Sequence, residues 1–386
     1  MIPEYIFWFS IALVLHTYVF YPIVLKVFAW RKRGNIVHYE QIEELPFVSV
    51  IIAAYNEESC IEEKIISIYS GTYPTDRFEV LIGSDNSSDR TGKIVTSLTK
   101  NHHSLRFSEF NERRGKGNVV NDLVQNARGS ILVLTDANVI FHEETLFFMV
   151  RHFKNPMIGL VDTNMINRGM KEEGISYQEK AYISREVHIK DRESRIWGAM
   201  MGPFGGCYAI RKEDYTQVPS NFLVDDFYIN MRIFEKKKLA INDLRAIVFE
   251  NIPDELKVEF RRKVRIGTGN FQNLGKFWRL IFTVRYGFAF ISHKVIRWFG
   301  PFFLIAALAT NIYLAFYQEF YLLILVSHLL VYLIPLFDWA LKKLHFNFGP
   351  FRMVTHFFSM NVALLIGFFR SLGTVHSGIW ERTSRD

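Results

Sequence analysis

The stretch ILVLTDANVI, residues 131–140, is an apolar run that stops at Asp136 and supplies Asn138 two places later. Read as a buried strand, it delivers both side chains at its carboxyl end. An Asp-x-Asn pair at this point is either a turn before a helix or a set of oxygen ligands for a metal ion that carries a phosphate. Two other apolar runs end in the same way, one with Asn56 and Glu57 and the other with Asp85 and Asn86.

The elements that would position these polar residues alternate between strand and helix. Continuous apolar strands separated by helices indicate an α/β protein with a mostly parallel sheet that is covered on both faces. Ligands of such open sheets bind outside the carboxyl ends of the strands. One polar strand end is ordinary turn chemistry, whereas three at one edge predict a site. The predicted strands are 47–55, 78–85, 105–110 and 131–136, and the predicted helices are 59–70, 90–100 and 116–127.

The residues at this edge point to a diphosphate that is held through a metal. Neither the glycine-rich dinucleotide fingerprint nor the Walker lysine motif follows the first strand. Because an acidic edge repels a diphosphate, we expect Mg²⁺ or Mn²⁺ between them, since carboxylates and phosphates share these ions readily. Lys116, within RRGKGN (113–118), is a second counter-charge for phosphate or, alternatively, part of a solvated basic turn.

The composition narrows the class of protein. The chain of 386 residues suffices for one large domain or two ordinary ones. Apolar residues make up 49%, and Phe occurs 36 times, which is high for a soluble enzyme. The net charge of +7 suits a nucleic acid, an anionic membrane surface or a phosphorylated substrate. Cys60 and Cys207 form neither a disulfide framework nor a zinc pattern, so we expect a reduced, cytosol-facing catalytic part.

Apolar segments at both ends of the chain predict membrane spans. Residues 5–25 carry no charge over 21 positions, enough to cross a bilayer, and the basic cluster 31–33 then places the following chain in the cytoplasm. Residues 298–317 and 320–337 are also uncharged and suit a hairpin, with a buried soluble helix pair as the alternative. Residues 353–369 form either a complete span with an external tail or a re-entrant or interfacial helix with a cytoplasmic tail, and the charges favour the second.

Seven motifs occur in an order that resembles the family 2 glycosyltransferases, namely VSVIIAAYNEE, SDNSSDRT, GKGNVVN, TDAN, GGCYAIR, VDDF and RRKVRI. The similarity is to the membrane-embedded synthases of cellulose, hyaluronan and poly-N-acetylglucosamine, and it covers about residues 46–275. It implies the A-type glycosyltransferase fold and a nucleotide-diphosphate sugar donor, most often a uridine one, and we expect no nucleic-acid partner. The residues that it implies for donor binding are Ala53, Tyr55, Glu57, Asp85, Lys116 and Asp136.

The resemblance also assigns metal-binding and catalytic residues. Asp136 and Asn138 occupy the Asp-x-Asp metal motif of the family, where Asn138 offers only a neutral carbonyl oxygen. Asp226 corresponds to the general base that takes the proton of the acceptor hydroxyl, which predicts inversion and a β-linkage. Asp225 is a second catalytic carboxylate or, with equal weight, the N-cap of the helix that begins there.

The last motif reads RKVRI (262–266) where the family has Gln-x-x-Arg-Trp. Arg265 matches the arginine that binds the diphosphate as it leaves, and Arg262 replaces the glutamine. Without the tryptophan the acceptor or nucleotide loses a stacking surface, and a basic amphipathic helix on the membrane surface is the alternative interpretation. The residues that we expect near the acceptor are Gly205, Gly206 and Cys207.

Together these features predict a multi-pass protein of the cell (inner) membrane with a cytoplasmic catalytic domain. The expected activity is metal-dependent, inverting transfer of a sugar to a growing β-linked polysaccharide at the membrane. One alternative is an enzyme like the ceramide glucosyltransferases, which adds a single sugar to a membrane lipid. Another is a transport or scaffold protein, against which the acidic residues argue. The expected domains are a membrane anchor (1–33), the glycosyltransferase domain (46–255), interfacial amphipathic helices (256–297), membrane helices (298–372) and a tail (373–386).

Overall fold

The structure, a computed structural model, describes residues 1–168, 176–251, 256–344, 346 and 348–373. These residues form two compact units, which we call the sheet unit and the helical unit. The tail predicted over 373–386, with its expected cytoplasmic position, lies outside the described residues from 374 onward. The sheet unit is drawn from Phe28–Met170 and Ile183–Pro253, and the helical unit from Met1–Val27, Lys171–Tyr182 and Asp254–Thr374.

The helices and strands follow one another in mixed order along the chain. The first elements are α1 (Ile2–Leu15), a π-helical turn (His16–Phe20), α2 (Tyr21–Ala29), β1 (Val48–Ala54), α3 (Ile61–Tyr69), β2 (Phe78–Ser84), α4 (Thr91–Leu98), β3 (Leu105–Glu109), α5 (Lys116–Asn126), β4 (Ile131–Thr135) and β5 (Ile140–Phe141). The next are α6 (Thr145–Val150), β6 (Ile158–Arg168), α7 (Ser176–Trp197), β7 (Cys207–Arg211), α8 (Asp225–Glu235), β8 (Leu239–Asn251) and α9 (Leu256–Phe277). The last are α10 (Gly287–Ala289), a π-helical turn (Phe290–Val295), α11 (Ile296–Trp298), α12 (Gly300–Ala315), α13 (Glu319–Lys343) and α14 (Gly349–Ser371).

The sheet unit is built on a mixed, mostly parallel sheet with the strand order β3-β2-β1-β4-β7-β6-β8-β5. Strands β3, β2, β1 and β4 run parallel to one another, while β7 runs antiparallel to both β4 and β6. Strands β1, β2 and β4 are apolar and buried almost throughout, as expected where helices cover both faces of a parallel sheet. The four predicted strands and the α/β fold class are therefore confirmed.

Helix α3 shows how the sheet is covered. Its residues Ile61, Ile65 and Ile68 recur at the spacing of one helix face, and all three are buried. They belong to the same apolar core as Val50 and Ile52 of β1. Packing of this face therefore fixes the helix that follows the first polar strand end.

Three helical segments of the described chain are long and apolar enough to cross a membrane. The helix that contains residues 353–369 is longer than that segment, with 23 residues. Length and composition therefore allow it to be a complete span, which the charge pattern alone disfavoured. The three segments are Ile2–Ala29, Glu319–Lys343 and Gly349–Ser371.

Most of the predicted span 298–317 is one helix, α12 (Gly300–Ala315). This helix is the second part of a bent pair, Gly287–Trp298 and Gly300–Ala315, whose two parts differ in direction by 60°. Pro301 lies in the first turn of α12. Because proline lacks an N–H and is favoured in the first turn of a helix, its position suits the start of a new helix here. The predicted boundaries therefore agree with α12 to within two residues at each end, and a crossing of the membrane by this segment stays a prediction.

Two close contacts hold the helical unit together. A Cβ atom built on Gly367 of α14 would lie 2.7 Å from the carbonyl carbon of Gly267 in α9, so these helices touch through their backbones. At the other contact, the Trp8 indole of α1 donates a hydrogen bond of 3.1 Å to the Tyr321 hydroxyl of α13. Phe7 packs beside it in a small apolar core with residues of α12.

Candidate active site

The polar ends of β1 and β2 form one continuous rim. Asn56 and Asn86 both have left-handed backbones, with φ of 55° and 58°, which asparagine tolerates better than most residues. The Asn56 N–H donates to the Ser87 hydroxyl at 3.1 Å, and the Asn56 side-chain oxygen accepts from the Ser88 N–H at 2.8 Å. The loops after the two strands are therefore held in register with each other.

Asp85 connects this rim to the loop that precedes α5. It is only 4% exposed. Its two carboxylate oxygens accept hydrogen bonds from the backbone N–H groups of Arg114 at 2.6 Å and Gly115 at 2.9 Å. Gly115 has a φ of 85°, which glycine adopts without strain. In this structure Asp85 thus orders the loop that presents Lys116, and its predicted contact with the donor stays a prediction.

Lys116 links the loop to the third strand end. Its ammonium nitrogen lies 2.6 Å from a carboxylate oxygen of Asp136. Burial works against the charged form of Lys116, but Asp136, Asp225 and Asp226 outweigh it and raise the pKa of this lysine above its usual value. One fixed positive charge therefore stands among the acidic groups at the carboxyl edge of the sheet.

The loop after β4 is supported from below by a lysine that the sequence analysis did not single out. Lys64 of α3 is fully buried, and its ammonium group donates to the Thr135 hydroxyl at 2.9 Å and to the carbonyl of Val139. These two residues flank the Asp136–Asn138 segment. Burial lowers the pKa of Lys64 to about 7. A lysine on a helix is usually exposed to solvent, so the sequence alone does not predict this contact.

Asp136 and Asn138 are the two residues predicted to bind a metal ion. The Asn138 amide nitrogen donates to a carboxylate oxygen of Glu250 at 3.2 Å, and Glu250, on β8, was not predicted. Within the described ranges, no cluster of three His, Cys, Asp or Glu side chains could hold a metal ion. The assignment of Asp136 and Asn138 as metal ligands therefore stays a prediction, and such a small set would fit an ion shared with phosphate oxygens rather than one enclosed by protein.

The acidic pair Asp225 and Asp226 begins α8. Burial and the neighbouring Asp225 raise the pKa of Asp226 to about 7, although the Phe227 N–H, Lys116 and Lys190 act in the opposite direction. A carboxylate with a pKa near neutrality is a much better proton acceptor than an exposed aspartate at the same pH. Asp226 thus has the acidity that a general base needs.

Gly205, the first residue of the predicted acceptor segment 205–207, lies against this carboxylate. A Cβ atom on Gly205 would come within 2.6 Å of the Asp226 Oδ2 atom, so glycine permits the approach. At Gly206 a Cβ atom would meet the Phe204 ring at 2.6 Å. Cys207 is fully buried in β7, and burial raises the pKa of its thiol to about 12. The thiol offers no surface to an acceptor, so the prediction for Cys207 now depends on its backbone.

Three of the residues predicted to bind the donor, Ala53, Tyr55 and Glu57, lie at or just after the end of β1. Ala53 is partly exposed, and it lies opposite Gly83 of β2, which runs parallel to β1. The guanidinium carbon of Arg113 lies 3.9 Å from the centre of the Tyr55 ring, a cation–π contact that the sequence did not predict. The Glu57 N–H donates to the Thr91 hydroxyl at 2.8 Å.

The two predicted arginines belong to the helical unit. Arg262 and Arg265 lie three residues apart on α9, so they share a face of this helix. Arg262 forms an ion pair of 3.3 Å with Glu259, which Lys263 also contacts at 3.2 Å. Although burial favours the neutral acid, Lys263 and Arg262 outweigh it and lower the pKa of Glu259.

Comparisons with known proteins define the class. The structure is similar to a mannosyltransferase from Pyrobaculum calidifontis solved with GDP-Man and Mn²⁺, with a TM-score of 0.72, 22% identity and coverage of 95% of this chain and 99% of that one. The fold is therefore that of an A-type glycosyltransferase, as predicted. Residues 49–218 match the profile of the family described as Glycosyl transferase family 2. The chain therefore contains a family 2 glycosyltransferase domain.

The relatives in sequence are synthases of two kinds of product, a polysaccharide and a glycolipid. The chain is 26% identical to the poly-beta-1,6-N-acetyl-D-glucosamine synthase of Staphylococcus epidermidis over 291 residues, which is 70% of this chain and 69% of the relative. It is 25% identical to the beta-monoglucosyldiacylglycerol synthase of Trichormus variabilis, over 65% of this chain and 55% of the relative. The predicted resemblance to poly-N-acetylglucosamine synthases is confirmed.

Proposed function

We propose that the protein is an inverting glycosyltransferase that moves a sugar from a nucleotide-diphosphate donor, a UDP-sugar, to a β-linked polysaccharide at the membrane. The observation that carries the proposal is the position of Asp226, a carboxylate with a raised pKa that lies against Gly205. Lys116 and Asp136 share the same edge of the sheet. In this proposal the general base (Asp226), the counter-charge for phosphate (Lys116) and the metal ligand (Asp136) are therefore supplied by neighbouring elements.

The proposed reaction is a single displacement. The acceptor hydroxyl oxygen attacks the anomeric carbon, its proton passes to Asp226, and the bond from that carbon to the diphosphate oxygen breaks. The nucleoside diphosphate leaves with the bonding electrons, and Lys116 balances part of its charge. Because the base must be deprotonated, we expect kcat/KM to rise through a pH of about 7, the pKa of Asp226.

Mg²⁺ or Mn²⁺ completes the proposed site. Asp136 would hold the ion, with Asn138 as a weaker neutral ligand. When bound, such an ion neutralises the charge of the diphosphate that leaves. With Asp136 as its charged ligand, the ion would bind together with the donor. The structurally similar mannosyltransferase was solved with Mn²⁺ and a nucleotide sugar, which supports this assignment.

The acceptor has two candidates. A growing polysaccharide is favoured because the poly-N-acetylglucosamine synthase matches over the larger share of its own length. A membrane lipid is the second candidate, and the similarity to the glucosyldiacylglycerol synthase is the specific observation in its favour. The apolar helical segments support a position of either acceptor at a membrane. In the proposed topology the protein crosses the cell (inner) membrane several times, and the sheet unit faces the cytoplasm, where nucleotide sugars are made.

The experiment uses the full chain in isolated membranes with a panel of radiolabelled UDP-sugars and GDP-mannose. We expect label from a UDP-sugar in a polymer that a β-specific glycosidase degrades, whereas label in the organic extract would favour the lipid candidate. Asp226→Asn should reduce transfer by at least about a thousandfold. Asp225→Asn is the matched control and should retain more activity. Undiminished transfer by Asp226→Asn, or a trapped covalent sugar–enzyme intermediate, would overturn the proposed mechanism.

A further inference from the structure

The segment between α7 and β7, which we call the glycine loop (Met201–Gly206), is held by buried side chains. Three of its backbone N–H groups donate to carboxylate or amide oxygens from three different elements. All three acceptor residues are fully buried, so their bonds are shielded from water and any loss leaves a buried polar group unpaired. The bonds run from Met201 to Glu193 of α7 at 3.1 Å, from Gly202 to Asn230 of α8 at 3.0 Å and from Phe204 to Asp162 of β6 at 2.7 Å.

Asp162 is held in position by an ion pair with Lys190. The Lys190 ammonium nitrogen lies 2.6 Å from the Asp162 Oδ2 atom, and the two residues are 5% and 0% exposed. The Asn242 amide donates to the same oxygen at 3.2 Å. Removing one member of a buried ion pair leaves an uncompensated charge, which is strongly destabilising. The hydrogen bond from Asp162 to the loop therefore depends on the lysine.

The glycine loop and Asp226 are bound into one assembly. Gly205 touches the Asp226 carboxylate, and Asn230, which holds Gly202, lies one helical turn after Asp226 on the same face of α8. The loop is thus anchored on both sides of its contact with the carboxylate. The charged and titratable groups that act on Asp226 are Asp225 of its own helix, Lys116 of α5, Lys190 of α7 and Tyr208 of β7.

We propose that Lys190 and Asp162 are positioning residues for sugar transfer, which hold the glycine loop against Asp226 and keep a buried positive charge near that carboxylate. Neither residue touches substrate in this proposal, and both act through Asp226. The inference rests on the proposed function, in which Asp226 is the base. It adds a second layer of residues, on α7 and β6, that the motif order does not contain.

The proposal predicts a defined change in Lys190→Met. Loss of the positive charge favours the protonated form of Asp226, so its pKa rises. Because the base works deprotonated, the acidic limb of the kcat/KM profile should move to higher pH by about half a unit to one unit. At neutral pH, kcat should fall at least about tenfold, while KM for the donor stays within about threefold of wild type.

The test compares pH profiles of Lys190→Met, Lys190→Arg and Lys238→Met in the full-length protein. Lys190→Arg keeps the charge and should keep the wild-type limb. Lys238→Met is the matched control, since Lys238 also lies near a buried aspartate, Asp214 at 3.9 Å, but in a different cluster. A merely structural role for Lys190 would lower activity equally at every pH and leave the limb in place, which would overturn the proposal.

Two further variants keep the test decisive. If Lys190→Met does not fold, the double variant Lys190→Met with Asp162→Asn removes both charges and leaves no unpaired ion, and a smaller limb shift in the same direction is expected. Asp226→Asn separates this inference from the function on which it rests. Activity retained in Asp226→Asn refutes the proposed base itself. An inactive Asp226→Asn together with an unshifted Lys190 profile refutes only the positioning role.

Discussion

Replacing Gly205 by alanine tests the contact between the glycine loop and the proposed base. A Cβ atom at this position would lie 2.6 Å from Asp226 Oδ2 and 3.0 Å from its carboxyl carbon, well inside van der Waals contact. Gly205 does not have a positive φ, so alanine itself is not strained there. The Phe204 N–H is bonded to Asp162 at 2.7 Å, which restrains the loop, and the carboxylate must therefore move.

The size of the effect follows from this displacement. To reach ordinary contact the carboxylate must shift by roughly 0.8 Å, and a misplacement of about 1 Å costs on the order of a hundredfold in rate. We therefore expect kcat of Gly205→Ala to fall about a hundredfold, equivalent to about 2.7 kcal/mol in the activation barrier. KM for the donor should stay within about threefold of wild type, because Lys116 and Asp136 are untouched.

The assay is steady-state transfer with the donor that the panel identifies, at saturating acceptor. Gly275→Ala of α9 is the matched control, since a Cβ atom there meets nothing within 4 Å, and it should retain wild-type kcat. Thermal unfolding of both variants shows whether the fold is intact. If Gly205→Ala is folded and keeps more than about a third of wild-type kcat, the contact does not restrain the base and the reasoning fails.

Three other predictions concern the metal, pH and helix packing. Asp136→Ala should abolish transfer, whereas Asn138→Asp should keep it and lower the Mn²⁺ concentration for half-maximal rate; full activity of Asp136→Ala with Mn²⁺ would contradict the assignment. Although burial favours the neutral acid, the hydrogen bond from His152 helps lower the pKa of Asp243 well below its usual range. Stability from this carboxylate is thus present above pH of about 4 and lost as pH falls below it, and Asp243→Asn should flatten acid unfolding measured by fluorescence. Gly367→Leu should disrupt the backbone contact with α9 and lower the unfolding temperature in detergent by several degrees; an unchanged temperature would show that the helices separate freely.

The sequence predicts the first four strands of the sheet because each is an uninterrupted apolar run that ends in polar residues. It does not predict β7, which is five residues long and follows two glycines. The sequence of strand β8 contains the polar residues Asn242, Asp243 and Arg245, a pattern that is typical of a loop. In the structure two of these side chains are buried with partners, Asn242 with Asp162 and Asp243 with His152. Polar residues inside a strand become interpretable only when their partners are known.

The same limit applies to the site. Asp85, Lys116, Asp136 and Asp226 stand in motifs whose order suffices to place them at one edge. The supporting residues Lys64, Lys190 and Glu250 stand in no such motif. Their partners lie 71, 28 and 112 residues away along the chain, so the local sequence does not predict these contacts. A lysine on a helix most often points into solvent, so its burial follows from tertiary packing and not from local sequence.

The contact between Trp8 and Tyr321 has a consequence for synthesis of the chain, because 313 residues separate these two side chains. Ribosomes add roughly 5 to 20 residues per second and domains fold as they emerge, so α1 remains without this contact for about a quarter of a minute to a minute. During that interval the whole sheet unit emerges and can fold. The helical unit therefore closes last, around an amino-terminal helix made long before. Chains arrested after β8 should hold a protease-resistant sheet unit beside an α1 that still lacks its contacts with α12 and α13.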